Sequence, residues 1–347
     1  VAHDHAHRTN CHVDYKLEDK SIKAYESVQI ENIKNTDIQQ VYKDKLKHLR
    51  QTYPKLRLHY SGGMDSHTIL ALAEQEGIEF DQIINEGISV NSDPYVDEEM
   101  LPGREYCKKY GVKFVIVKPS MEAYEKFADP YWYEKWQTDP GIDFRTTYWG
   151  VFLPRMEPML NITGTSKPWI YVDKGQNYYY VITDRATRRH MGFEQCSFFE
   201  DAIFPEVAVK QALVVKEWLE TYRPEFRGLW TMGKFQSDDE KKSYLDATGR
   251  EPALSRLLFT QEQGKKTPNL LSIKTKRAMQ ELRDIGRGDV VKNYMDSIDA
   301  MKKKYGHMEH CLTINEQGLC HAKLKFGAVF KITNTNLKQV SDTIVKI

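Results

Sequence analysis

Several absences narrow the chain before any motif is considered. No stretch approaches the roughly 18 uninterrupted apolar residues of a membrane span, and the first residues hold no apolar signal core. Cysteine is sparse: Cys11, Cys107, Cys196, Cys311 and Cys320 are odd in number, scattered and without a CxxC pair. That excludes a disulfide framework and suits a reducing compartment, so a soluble, cytoplasmic protein is expected. Charge of one sign is missing too. Fifty Lys and Arg against 49 Asp and Glu leave a formal net charge of +1, which excludes wholesale electrostatic binding of nucleic acid or membrane but not a local basic site. Two common nucleotide fingerprints are absent as well: there is no GxxxxGK[ST] and no GxGxxG.

What is present in the 347 residues reads as alternating strands and helices. Residues 1–40 form a polar segment that opens VAHDHAHRTNCH; its histidines have ligand chemistry for zinc or copper, although a mobile terminus carries such residues without any site. QQVYKDKLKHLRQTYP places Val41, Leu46 and Leu49 on one helical face and stops at Pro54. LRLHY then alternates as a strand, SGGMDS turns, and HTILALAEQEG carries the apolar stripe Ile69, Leu72 and Ala73 to Gly77. FDQIINEGISV, VKFVIVK and LNITG read as further strands, with a helical crossover through PYVDEEMLPGREYCKKYG and an aromatic-rich, mostly helical stretch before LNITG. Strands spaced by helices predict an α/β fold with a doubly wound parallel sheet over residues 41–200. WIYVDKGQNYYYVITD reads as a hairpin. A helical region over 201–304 includes the amphipathic FPEVAVKQALVVKEWLETY and the polar loop FTQEQGKKTPN, and a terminal β-hairpin segment closes the chain over 305–347.

The stretch RLHYSGGMDSHTIL carries the chemistry. A strand that ends in a glycine turn and launches a helix gathers backbone N–H groups at the positive end of the helix dipole, a geometry suited to phosphate. Gly62 and Gly63 allow an anion to approach the main chain, and Ser61 and Ser66 add hydroxyls. Asp65 is out of place beside a phosphate unless it caps the helix or shares a cation such as Mg²⁺.

SGGMDS resembles the SGGxDS motif of the PP-loop ATP pyrophosphatases, the superfamily of asparagine synthetase, GMP synthetase, argininosuccinate synthetase and the lysidine and thiouridine tRNA enzymes. The resemblance to the asparagine-synthetase-like layout, of HUP/PP-loop type, spans about residues 40 to 200, and FFEDAIFPEVAVKQALVVK resembles phage-encoded proteins with this motif. It implies ATP and Mg²⁺ as cofactors: an acceptor oxygen attacks the α phosphorus, pyrophosphate leaves, and an amine or ammonia displaces AMP. Ser61, Gly62, Gly63 and Ser66 would hold pyrophosphate, Asp65 would sit by the metal or fix the loop, and the stretch Asn85 to Gly87 would meet adenine. Gly164 and Thr165 would form the second small-residue turn.

Departures from the family sharpen the reading. Where asparagine synthetase carries an acidic loop resembling SGDGADE, this chain has ITGTSKPW, with Lys167 in place of the acids. Lys167 either binds phosphate and charge developing at phosphorus or is an ordinary surface lysine. Without a cysteine pair sulfur transfer is disfavoured, and with Val1 where a fused glutaminase would need its catalytic cysteine, either a separate amine- or ammonia-donating partner or a free amine as nucleophile is expected. The acceptor is expected to be a small molecule or tRNA. The alternative function is a nucleotide-binding structural or complex component without turnover.

Other clusters have plainer explanations. Arg185, with Arg188, Arg189 and His190, either clamps an anion or forms a solvated loop; Tyr178, Tyr179 and Tyr180 could stack a base, yet strand alternation sends at least one of them into a core. His310-Cys311 and Cys320-His321 flank NEQG and offer zinc chemistry, but adjacent strand residues point to opposite faces. Asp97, Glu98 and Glu99 suit the first turn of a helix.

Overall fold

The computed structural model describes residues 19–86, 101–117, 121, 156–164, 169–183, 195–230, 235–248, 279–293, 295–296, 312–314, 320–322 and 326–341. The chain is α/β, built on two five-stranded sheets. Helices α1 (Asp19–Ser27) and α2 (Ile30–Lys34) lead into α3 (Ile38–Thr52), and β1 (Leu56–His59) follows. Next come α4 (Met64–Gln75), β2 (Gln82–Glu86), α5 (Leu101–Tyr110), β3 (Lys113–Val117) and β4 (Leu160–Thr163). Strands β5 (Trp169–Val172), β6 (Tyr178–Thr183) and β7 (Gln195–Ser197) precede α6 (Glu206–Tyr222), β8 (Gly228–Trp230) and α7 (Asp238–Thr248). Four strands close the order: β9 (Leu312–Ile314), β10 (Cys320–Ala322), β11 (Phe326–Ile332) and β12 (Leu337–Ser341).

Local chemistry explains several boundaries. Helix α3 starts at Ile38 because the Asp37 carboxylate accepts the Gln39 and Gln40 amides, at 2.8 and 3.3 Å, satisfying donors that a helix start leaves over. It buries Val41, Leu46 and Leu49 as its spacing predicts, and residues 19–34 of the polar segment contribute two further short helices. Helix α4 is buried through Ile69, Leu70, Ala71, Leu72 and Ala73, a wider face than the stripe read from sequence.

The first sheet is parallel, in the order β3-β2-β1-β4-β7, and is compatible with a doubly wound fold. One face carries Leu56, Leu58, Ile83, Leu160 and Ile162 against α3, α4 and α5. The second sheet is antiparallel, in the order β12-β11-β6-β5-β8. Strands on both sides of residues 200 and 304 therefore share it. Its inner face packs Ile170, Tyr180, Phe330 and Trp230 onto α6 and α7, with Trp218, Trp230, Phe235 and Tyr244 in mutual ring contact. Helix α6 joins the two cores, since Val207 belongs to the first and Ala208, Ala212, Val215, Trp218 and Leu219 to the second.

Between β4 and its parallel neighbour β7 the chain leaves to form β5 and β6 and then returns. The second sheet is thus anchored at the carboxyl end of β4. β9 and β10 form a separate antiparallel pair in which Cys320 lies opposite Ile314 and His321 opposite Thr313. The histidine-rich start, Asp97 to Glu99, the aromatic stretch 122–155, the loop 259–269, His310 and Cys311 lie outside the described residues.

Candidate nucleotide site

In the parallel sheet, β1 connects through α4 to β2 on one side, while its other neighbour is β4. The strand order reverses between β1 and β4, and ligands of open α/β sheets bind outside the carboxyl ends of strands at such a point. The residues at those two ends are Ser61-Gly62-Gly63 and Gly164.

The turn adopts the conformation that its glycines permit. Gly62 has φ +76, a left-handed value that costs a residue with a Cβ about 1–2 kcal/mol. Gly63 is the extended N-cap of the 12-residue α4, and no side chain caps that helix start. Ser66 Oγ, buried under the turn, accepts from the Ser61 amide at 3.2 Å and donates to the Gly63 carbonyl at 3.0 Å. Its single proton is then used, so Ser61 Oγ donates to it at 3.2 Å while accepting the Gly63 amide at 3.3 Å. Both hydroxyls tie the turn together, and the Ser61 and Gly63 amides are spent on them.

Gly164, just past the end of β4, meets this turn directly. A Cβ on Gly164 would lie 3.0 Å from the Asp65 carbonyl carbon, the Asp65 Cβ and the Ser66 nitrogen. The end of β4 therefore rests on the first turn of α4. Asn85 joins the site from β2: its Nδ2 donates 2.6 Å to the carbonyl of Tyr60, the residue before the turn, and its Oδ1 is buried without a hydrogen-bond partner. Asn85 is 2 % exposed, so its side chain braces the end of β1 from below. Asp65 is half-buried in the first turn of α4, where the helix dipole favours a carboxylate. The structure thus brings together Ser61, Gly62, Gly63, Asp65, Ser66, Asn85 and Gly164. Gly87, Thr165, Lys167 and Arg185 lie outside the described residues, the last two in the connections leading out to β5 and back from β6.

Sequence reasoning missed the polar face beneath this site. On the side of the sheet opposite α4, register aligns Gln82, Arg57, Asn161 and Gln195 across four strands, all buried. Arg57 donates Nε to Gln82 Oε1 at 2.5 Å, Nη1 to Asn161 Oδ1 at 3.2 Å and Nη2 to the Glu157 carbonyl at 2.8 Å. These acceptors are all neutral. Burial pulls the guanidinium pKa below its usual value, opposed by the Glu157 charge. Because Asn161 Oδ1 accepts, His59 Nε2 at 2.9 Å must be the protonated ring nitrogen. The signal was available: parallel strands buried on both faces read as continuous apolar runs, whereas LRLH and LNIT alternate.

On the other face, His67 of α4 lies 3.1 Å through Nδ1 from the Tyr60 hydroxyl, and burial pulls its pKa from 6.5 down to about 4. It is neutral at physiological pH. Among the described residues no group of three or more His, Cys, Asp or Glu converges to hold a metal ion. Mg²⁺ that arrives on nucleotide phosphates needs only one or two protein carboxylates, and Asp65 places one in the first turn of α4. No helix among the described residues is long and apolar enough to cross a membrane. In comparisons with known proteins, no family model matches the chain and no curated protein matches it significantly.

Proposed function

We propose that this chain is an ATP-dependent adenylating enzyme of the PP-loop type, with a parallel domain of HUP type. An acceptor oxygen attacks the α phosphorus of ATP, the bond from the α phosphorus to the bridging oxygen breaks, and pyrophosphate departs. An amine or ammonia then displaces AMP from the adenylated acceptor, which is a small molecule or a tRNA base. The observation that carries the reading is the left-handed Gly62 turn at the β1/β4 switch point, opening a helix with no side-chain cap, in a stretch that reads SGGMDS.

In this reading the main-chain N–H groups of the turn and the α4 dipole hold the pyrophosphate oxygens. Ser61 and Ser66 keep the turn in shape, Gly164 and Thr165 admit the α phosphate beside it, and the segment Asn85 to Gly87 borders adenine. Asp65 holds Mg²⁺, whose contribution is to neutralise charge on the departing pyrophosphate. Lys167, which follows β4 in sequence, and Arg185, which follows β6, would supply positive charge at the α phosphorus. Holding ATP and acceptor in line provides much of the rate.

A second reading, a nucleotide-binding component without turnover, is favoured by one observation. Both serine hydroxyls are committed within the turn. The discriminating experiment follows ATP labelled at the α phosphorus with Mg²⁺, alone and with pooled small-molecule and tRNA extracts. Extract-dependent AMP with matching pyrophosphate, lost in Asp65→Asn, is the expected result. ADP as product contradicts the cleavage position, and bound but uncleaved ATP favours the second reading.

A further inference from the structure

The second sheet presents a row of side chains unconnected with the switch point. Register sets Leu229 opposite Tyr171, Tyr171 opposite Tyr179, Tyr179 opposite Lys331 and Lys331 opposite Lys338, so one line crosses all five strands on the face turned away from α6. Directly opposed residues share a face. Val181 and Val329 are buried on the same face, and the row lies at the margin of that patch. Tyr171, Tyr179 and Lys331 are partly exposed and Lys338 is exposed.

Each member has a property that its packing does not require. The tyrosine rings lie 6.0 Å apart between centroids, and the Tyr179 hydroxyl donates 3.0 Å to Asp173 Oδ2, which fixes its ring at the sheet surface. Lys331 and Lys338 are like charges directly across from each other, an unfavourable cross-strand pair. Neither forms an ion pair with an acidic side chain among the described residues. Lysine on the edge strand β12 deters strand pairing. That explanation does not extend to Lys331, which lies on β11 between β12 and β6.

An anion placed between the two lysines relieves their repulsion, and a planar ring beside it covers the tyrosines. A nucleotide chain whose bases are unpaired offers phosphates and exposed ring faces side by side. We propose that the Tyr171–Tyr179–Lys331–Lys338 row binds single-stranded nucleic acid, the tyrosines stacking bases and the lysines neutralising phosphates. This site goes beyond the ATP reading and does not depend on it.

The test is fluorescence anisotropy of the full chain with labelled uridine RNA and thymidine DNA strands of about 12 nucleotides, and a duplex of equal length, at about 50 mM salt. The single strands should bind and the duplex should bind more weakly. Lys331→Gln with Lys338→Gln should weaken binding about tenfold and reduce the salt slope by about 1.4, the share of two phosphates on a single strand. Tyr171→Leu should weaken it about tenfold without changing the slope. Thermal unfolding of each variant serves as the folding check, and the lysine variant, altered only at partly exposed or exposed positions, carries the test if Tyr171→Leu does not fold. No single-strand binding by the parent chain at about 100 μM protein, duplex binding as tight as single-strand binding, or unchanged binding by the lysine variant overturns the proposal.

Discussion

Gly164 rests on the amide of Ser66: a Cβ at position 164 would lie 3.0 Å from that nitrogen. The end of β4 and the first turn of α4, almost a hundred residues apart in sequence, thereby become one surface at the β1/β4 switch point. Gly164→Ala must push the first turn of α4 away, because the neighbouring atoms are backbone rather than a flexible side-chain end. The expected cost is about 1–3 kcal/mol of stability, measured by denaturant unfolding. An unchanged unfolding midpoint would show that Gly164 and the first turn of α4 are not in contact.

Ser66 holds the turn more tightly than Ser61 does. Ser66→Ala, at a buried position, removes the acceptor for the part-buried Ser61 amide and the donor to the Gly63 carbonyl, and should destabilise the chain by about 1–3 kcal/mol. Ser61→Ala loses the acceptor for the exposed Gly63 amide and one of the two donors to Ser66 Oγ, which keeps the Ser61 amide and the Gly63 carbonyl as partners, and should cost less than about 1 kcal/mol. Equal losses in urea unfolding would contradict this division of roles.

The chain should lose stability in mild acid through His67. Its folded pKa of about 4 lies below the ordinary 6.5, so between those values the unfolded chain binds more protons and stability rises with pH. The contribution is complete above about pH 6.5 and is lost as pH falls toward 4, by about 2–3 kcal/mol. His67→Gln should flatten this part of the profile. A variant as acid-sensitive as the parent would place the titrating group elsewhere.

Lys45 and Asp201 form a buried ion pair at 3.0 Å, with side chains 0 % and 4 % exposed. Lys45→Met leaves a buried carboxylate without its cation and should cost about 3–5 kcal/mol. Adding Asp201→Asn removes that charge and keeps an acceptor for the Ile203 amide, which Asp201 Oδ1 accepts at 3.0 Å. The double variant should therefore recover most of the loss. A double-mutant cycle with no coupling would sink this account.

The turn and the parallel strands were legible in sequence because their signals are local: adjacent glycines, a serine on each side, and apolar runs of strand or helix length. The second sheet was legible only in part. WIYVDKGQNYYYVITD reads as a hairpin, but pairing Tyr179 with Lys331 spans some 150 residues, and no local pattern specifies that. Strand β8 is three residues long and lies within a region read as helical, too short for periodicity to detect. The polar face was missed for a different reason. Alternation in LRLH identifies a strand with two unlike faces but not that Arg57 is buried among amides. The register that places Cys320 opposite Ile314 likewise follows from pairing rather than from the symmetry of HC and CH about NEQG.

The most direct measurement is calorimetric titration of ATP with Mg²⁺ into the parent chain and into Gly62→Val, with the fold of each checked by thermal unfolding. Gly62 stands at φ +76, where a β-branched side chain distorts the turn that would hold the phosphates. The account predicts one ATP site in the parent and at least about tenfold weaker binding in the variant, equivalent to 1.4 kcal/mol. A parent chain that does not bind ATP, or a folded variant that binds it equally well, would contradict the assignment of this turn.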